Sequence, residues 1–171
     1  MQLSEIIKGR PEDAEKTHRM FVSITDHMLA NGIKQWNYTY PDLKTLSQDI
    51  EDGHNFIIKD GDTVAASIAL DDLQDEQYKK VHWRNRSDSV LVIHRLGVNP
   101  KYQGKGLGKK LCLFAEQYAK ENNYKFIRLD AYAGNPVSNS MYLKLGYTMA
   151  NGYCYFHKQP IPFYCFEKKI E

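Results

Sequence analysis

The stretch that most constrains this chain is "QGKGLGKK", Gln103–Lys110, set between an apolar strand candidate and a helix. Gly104, Gly106 and Gly108 alternate with Lys105 and Leu107, and Lys109 and Lys110 follow. Glycine costs backbone entropy and offers no side chain to pack. So much of it at the mouth of a helix implies either a plain loop or a large anion approaching the backbone. A Walker A loop requires a second glycine where Lys109 stands, and the pattern fails. A dinucleotide fingerprint requires its third glycine at the same place, and the strand ends several residues too early. The pattern Q-x-x-G-x-G fits directly, through Gln103, Gly106 and Gly108. Its chemistry follows from helix geometry. The first backbone N–H groups of a helix have no internal partners and sit at the positive end of the dipole. A pyrophosphate can dock there where no β-carbon obstructs it.

At 171 residues the chain is long enough for one domain with a real core. A net charge of +2 argues neither for nor against a nucleic-acid partner, and no apolar run approaches membrane-spanning length. The N-terminus lacks a long apolar leader region, which makes the cytoplasm the expected compartment. Cys112, Cys154 and Cys165 have no metal-ligand spacing; they read as small buried residues in a reducing environment, and no metal is expected.

The hydrophobic period switches repeatedly along the chain. Leu3–Ile7 reads as a short strand. A helix opens at Pro11-Glu12-Asp13 and runs to about Ala30, stopped by Asn31-Gly32. A second helical segment runs from Pro41-Asp42 to near Asp52-Gly53. Asn55–Lys59 and Thr63–Leu70 form a hairpin about Asp60-Gly61-Asp62, and Asp71–Ser87 reads mostly as polar loop. Ser89–Val98 is a strand, Gly106–Asn122 a helix, Phe126–Ala131 a strand and Pro136–Leu145 a helix capped at Gly146. Strands at about Tyr147–His157 and Phe163–Lys169 close the chain. Alternating helices and strands with hairpins predict an α/β (α+β) fold around a mixed sheet.

Three motifs stand in order between His94 and Tyr147, about a third of the chain. They are the strand ending Leu96-Gly97-Val98-Asn99-Pro100, the Gln103-Gly106-Gly108 loop with its helix, and Asn135, Ser138, Met141, Tyr142, Gly146 and Tyr147 after the next strand. This region resembles the core of the GNAT superfamily, the acetyl-CoA-dependent N-acetyltransferases. Upstream, Asn31–Gly53 is similar to a group of small bacterial GNAT proteins that carry a Gln-Trp and a Tyr-Pro here. The resemblance implies one GNAT domain over residues 1–171 and a mixed, mostly antiparallel, splayed central sheet flanked by helices. The splayed edges would be Leu96–Val98 and Leu129–Ala131, whose backbone groups would bind the pantetheine arm of acetyl-CoA. Gly97 suits a bulge, a close approach by a ligand, or a mere irregularity in the strand.

The resemblance also implies the cofactor-binding set: Leu96, Gly97, Val98, Gln103, Gly104, Lys105, Gly106, Leu107, Gly108, Lys109, Asn135, Ser138 and Tyr142. Asn135 reads equally as an N-cap before Pro136. Tyr142 occupies the position that in the family meets the acetyl-CoA sulfur, where a phenol can protonate the leaving thiolate; packing against the sheet is its other reading. The family often places a glutamate on the long central strand as general base. Val92, His94, Leu96 and Val98 share one face there by alternation, and none is a carboxylate. Aralkylamine N-acetyltransferases similarly carry a histidine two residues before L-x-V, so His94, directly or through a water, is the candidate base. A core or substrate-positioning histidine is the alternative.

The acceptor site is expected among the first two helices, the loop after them and the last hairpin. Trp36, Tyr38, Tyr40, Tyr153, Tyr155, Phe156 and Phe163 there would make amine-binding walls, core, or a dimer surface. The acidic run Asp71, Asp72, Asp75 and Glu76 could attract an amine, and reads otherwise as a solvated loop. Two functions stay open: acetyl transfer from acetyl-CoA to a primary amine in a ternary complex, or a non-catalytic acyl-CoA-binding sensor. Neither calls for nucleic acid or membrane, and a homodimer is common among similar proteins.

Overall fold

Helix α1, Ala14–Ala30, forms because its apolar residues recur on one face, and Met20, Phe21, Ile24 and Met28 are all buried. A 3-10 turn at Pro11–Asp13 leads into it, and Asp13 Oδ2 accepts from Arg10 N–H at 3.0 Å. It ends where Ile33 N–H reaches back to Met28 O and Gly32 turns left-handed at φ +74°. Helix α2, Leu43–Glu51, is capped by Asp42, which accepts from Thr45 N–H at 2.9 Å.

The computed structural model describes residues 1–86 and 88–171. The remaining elements are β1 (Ile7–Lys8), β2 (Asn55–Asp60), β3 (Thr63–Asp71), β4 (Val90–Val98), α3 (Leu107–Glu121), β5 (Phe126–Tyr132), α4 (Pro136–Lys144), β6 (Thr148–Cys154) and β7 (Phe163–Lys169). The strand order is β1-β2-β3-β4-β5-β7-β6, a mixed and mostly antiparallel sheet. No helix among the described residues is long and apolar enough to cross a membrane.

The chain forms two compact units, Met1–Leu70 with Arg95–Phe114, and Asp71–His94 with Ala115–Glu171. In the first, β1, β2 and β3 pair antiparallel, and Met20, Phe21, Ile24, Met28, Trp36, Leu46, Ile57 and Val64 form one core cluster. In the second, β4 and β5 run parallel from Val90↔Phe126 to Ile93↔Leu129, and the pairing stops there. β5 continues to Tyr132 against β7 alone, with Asp130↔Cys165, Ala131↔Tyr164 and Tyr132↔Phe163. Leu129, which the sequence reading set at a splayed edge, therefore belongs to the parallel ladder.

Several boundaries differ from the sequence reading. Leu3 makes only an isolated bridge to Asp60, and the first strand is Ile7–Lys8. β6 is Thr148–Cys154, shorter than expected, with Tyr147 buried just before it. The expected loop after Asp71 contains a 3-10 helix, Glu76–Lys80, with Tyr78 buried; Ser87, its last residue, lies outside the described residues. Arg128 of β5 explains why so polar a segment orders. Its guanidinium donates to Gln74 Oε1 at 2.8 Å and Asn85 O at 2.6 Å, and stacks 4.3 Å from the Trp83 ring centre. Arg84 N–H donates to the buried Glu167 at 2.6 Å. Cys112, Cys154 and Cys165 are free and buried. The Cys154 and Cys165 sulfurs lie 3.5 Å apart, and their hydrogen bond with burial drives the Cys165 thiol far above its ordinary range.

Candidate active site

In the first unit, β4 gives way to a 3-10 turn at Pro100–Tyr102, in which Asn99 Oδ1 accepts from Lys101 N–H at 3.1 Å. Tyr102 is buried, and its hydroxyl donates to Asp60 Oδ2 at 2.8 Å, which ties the glycine loop to the end of β2. Gly104 and Gly106 then take φ +77° and +76°. A β-carbon costs roughly 1–2 kcal/mol in that conformation, so the turn itself selects glycine. A Cβ at either position would meet nothing within 4 Å, so the approach to the backbone is open.

Helix α3 begins at the buried Leu107, and Lys110 N–H makes the first helical bond, to Gly106 O at 2.9 Å. The N–H groups of Leu107, Gly108 and Lys109 precede it and have no acceptor within the helix. Gln103, Lys105, Lys109 and Lys110 are exposed, and Lys105 Nζ lies 5.6 Å from the Tyr102 ring centre. Bare N–H groups at a positive helix end, with three exposed lysines close by in sequence, fit a phosphate-bearing ligand.

On β4 of the same unit, Arg95 takes φ +46°, a conformation that L residues rarely adopt. It interrupts the two-residue alternation, so the single face expected through Val92, His94, Leu96 and Val98 does not run unbroken. Arg95 is held there by two hydrogen bonds of 2.7 Å to Asp49 and one of 3.1 Å to the Tyr40 hydroxyl. Burial opposes the Arg95 charge, but Asp49 and Tyr40 together outweigh it and hold the guanidinium above its ordinary basicity. Gly97 itself is not the irregular residue. A Cβ there would come within 2.8 Å of Ile24 Cδ1 and 2.9 Å of Phe21 Cε1. The close approach that selects this glycine is that of helix α1.

In the second unit, His94 Nε2 lies 2.8 Å from Asp71 Oδ1, which also accepts from Leu73 N–H at 2.8 Å. The Asp71 side chain is 6% exposed and that of His94 21%. Asp71 is therefore the last residue of β3, turned to a partner, and not part of a solvated loop. On α4, Asn135 is the N-cap, its Oδ1 accepting from Ser138 N–H at 3.3 Å, while Ser138 Oγ donates to Asn135 O at 3.2 Å. Tyr142, near the end of α4, is 6% exposed, with its ring edge-on to Tyr147 and tilted against Phe166.

The model of the acetyltransferase (GNAT) family matches residues 21–147. The chain belongs to the GNAT acetyltransferase family. It is 28% identical over 154 residues to the uncharacterized N-acetyltransferase YesJ of Bacillus subtilis, covering 86% of each chain. The GNAT-family acetyltransferase structure from Streptococcus agalactiae 2603 superposes with a TM-score of 0.82 at 19% identity, over 99% of this chain and 96% of that one. The putative acetyltransferase yncA from Salmonella typhimurium, solved with its cofactor acetyl-CoA, gives a TM-score of 0.73 at 14% identity, over 100% and 95%.

Within this GNAT chain the expected aromatic walls divide. Trp36 is core, edge-on to Phe21, and Phe163 is buried against Tyr132 and Phe156. Tyr38, Tyr153 and Tyr155 are exposed, and the Tyr38 hydroxyl donates to Asp26 at 2.6 Å. The sequence placed Asp71 in an acidic run and missed its pairing with His94. Its only signal was the continuous buried run of β3 carried one residue further.

Proposed function

We propose that this chain is an acetyl-CoA-dependent N-acetyltransferase that acylates a primary amine by direct attack in a ternary complex. The observation that carries the proposal is the left-handed Gly104–Gly106 loop opening onto the bare start of α3, inside the family match. The names of YesJ and of yncA with acetyl-CoA support the reaction class. Residues of both compact units lie within the match, and we assign residues 1–171 to one acetyltransferase domain. Three free, buried thiols support a cytoplasmic setting.

Gln103, Gly104, Lys105, Gly106, Leu107, Gly108 and Lys109 would hold the pyrophosphate, and Leu96, Gly97 and Val98 would offer backbone groups to the pantetheine arm. Asn135 and Ser138 order the start of α4 and are assigned to the same ligand. Acetyl-CoA supplies an activated thioester carbonyl. Tyr142 would hold a proton at its hydroxyl for the leaving sulfur, and His94 would take one from the amine, directly or through a water.

A non-catalytic acyl-CoA-binding module is the second reading, favoured by the packing of Tyr142 against Tyr147 and Phe166. Release of free thiol from acetyl-CoA, measured against a panel of primary amines, separates the two. The enzyme reading expects amine-dependent release that drops at least about tenfold in Tyr142→Phe, with affinity for CoA retained. Release from no amine, together with intact CoA binding, would favour the module. Unchanged turnover in Tyr142→Phe would leave the tyrosine as packing alone.

A further inference from the structure

We infer that Asp71 is a positioning residue that fixes the tautomer of His94 and leaves Nδ1 as the nitrogen that accepts the proton of the acceptor amine. The inference rests on the acetyltransferase reading and adds a residue to it. An ionised carboxylate can only accept a hydrogen bond. The 2.8 Å contact between Asp71 Oδ1 and His94 Nε2 therefore places the ring proton on Nε2. In a neutral imidazole the lone pair then lies on Nδ1. None of the described residues makes a hydrogen bond to that nitrogen.

Asp71 is itself held. The Leu73 N–H donates to the same oxygen at 2.8 Å, and the side chain is 6% exposed against 21% for His94. The more buried partner is thus the carboxylate and the more open one the imidazole. In a hydrolase triad a carboxylate so placed keeps its histidine in one orientation and stabilises the imidazolium that forms.

The proton balance closes. As the amine nitrogen bonds to the acetyl carbon and the carbon–sulfur bond breaks, the electron pair leaves on sulfur. The amine proton passes to His94 Nδ1, and the imidazolium keeps its Nε2 proton toward Asp71. Sulfur takes its proton from Tyr142, and both side chains return to their starting states by exchange with solvent.

The test combines two readouts on the whole chain. The first is the tautomer of His94, read from long-range nitrogen–proton NMR correlations and assigned with His94→Gln. The second is kcat and KM for acetyl-CoA in Asp71→Asn and Asp71→Glu. The wild type should show the Nε2–H form. Asp71→Asn should lose that preference and at least about tenfold in kcat, part of the 10²–10⁴-fold worth of a positioned base, with KM for acetyl-CoA little changed. Asp71→Glu should restore part of both. A wild-type ring protonated mainly on Nδ1 overturns the inference without any variant needing to fold. So does an Asp71→Asn protein in which either the tautomer or kcat stays at the wild-type value. Absence of amine-dependent turnover in the wild type would defeat the functional reading instead, and the tautomer would still decide the pairing.

Discussion

Gly97 carries a cost that can be measured directly. Its neighbours are the side chains of α1, and a methyl group there would stand 2.8 Å from Ile24 Cδ1 and 2.9 Å from Phe21 Cε1. Both residues are buried in the core cluster and have little room to yield. Gly97→Ala should therefore destabilise the protein by about 1–3 kcal/mol, the usual penalty of overpacking, as read from urea denaturation. A neutral Gly97→Ala would mean that α1 can shift away from the strand. The sequence marked this glycine as exceptional, but it could not say whether a ligand or a helix demanded it. The partners lie more than seventy positions upstream, in a helix whose facing residues look like any apolar stripe. Arg95 left no mark at all, because its left-handed backbone is sustained by Asp49 and Tyr40, and neither bond is written in local composition.

Among the elements, the segment from Asp72 to Arg86 was least legible. It is polar, it lacks a period, and nothing in it promises order. Its order comes from Arg128, which reads in sequence as one position of a strand. Burial lowers the basicity of Arg128, and the charge of Glu167 only partly offsets this. The guanidinium is nonetheless bonded to Gln74 and Asn85 and stacked on Trp83. Removing it takes away the charge 3.7 Å from the Glu167 carboxylate, which is 1% exposed and keeps only its bond from Arg84 N–H among the contacts named above. Arg128→Ala should cost about 3–5 kcal/mol, as for other broken buried pairs, and should open residues 72–86 to limited proteolysis. Lys79→Ala breaks only an exposed pair with Glu76 and should cost less than about 1 kcal/mol. Equal losses in the two variants would show that Arg128 does not secure the segment. The long helices and strands were legible for the opposite reason. Each carries its own period, and the caps at Asp42 and Asn135 and the left-handed glycines 32 and 53 punctuate them.

For the molecule as a whole, the central proposal is a glycine loop built for the phosphates of acetyl-CoA. The loop was legible because its chemistry is local. Two left-handed glycines, three lysines and a helix start stand within eight residues. The His94–Asp71 pair was not, because it joins strands 23 residues apart and one partner stood in a segment that read as loop. A ligand that binds the folded state raises the melting temperature by mass action. The most direct measurement is therefore the melting temperature with acetyl-CoA, CoA and NADH, for the wild type and for Gly106→Glu. A loop built for CoA phosphates predicts a rise with acetyl-CoA and CoA, none with NADH, and no rise in Gly106→Glu, where a carboxylate would occupy the phosphate approach. A wild type indifferent to CoA, or a Gly106→Glu protein stabilised as fully as the wild type, would contradict it.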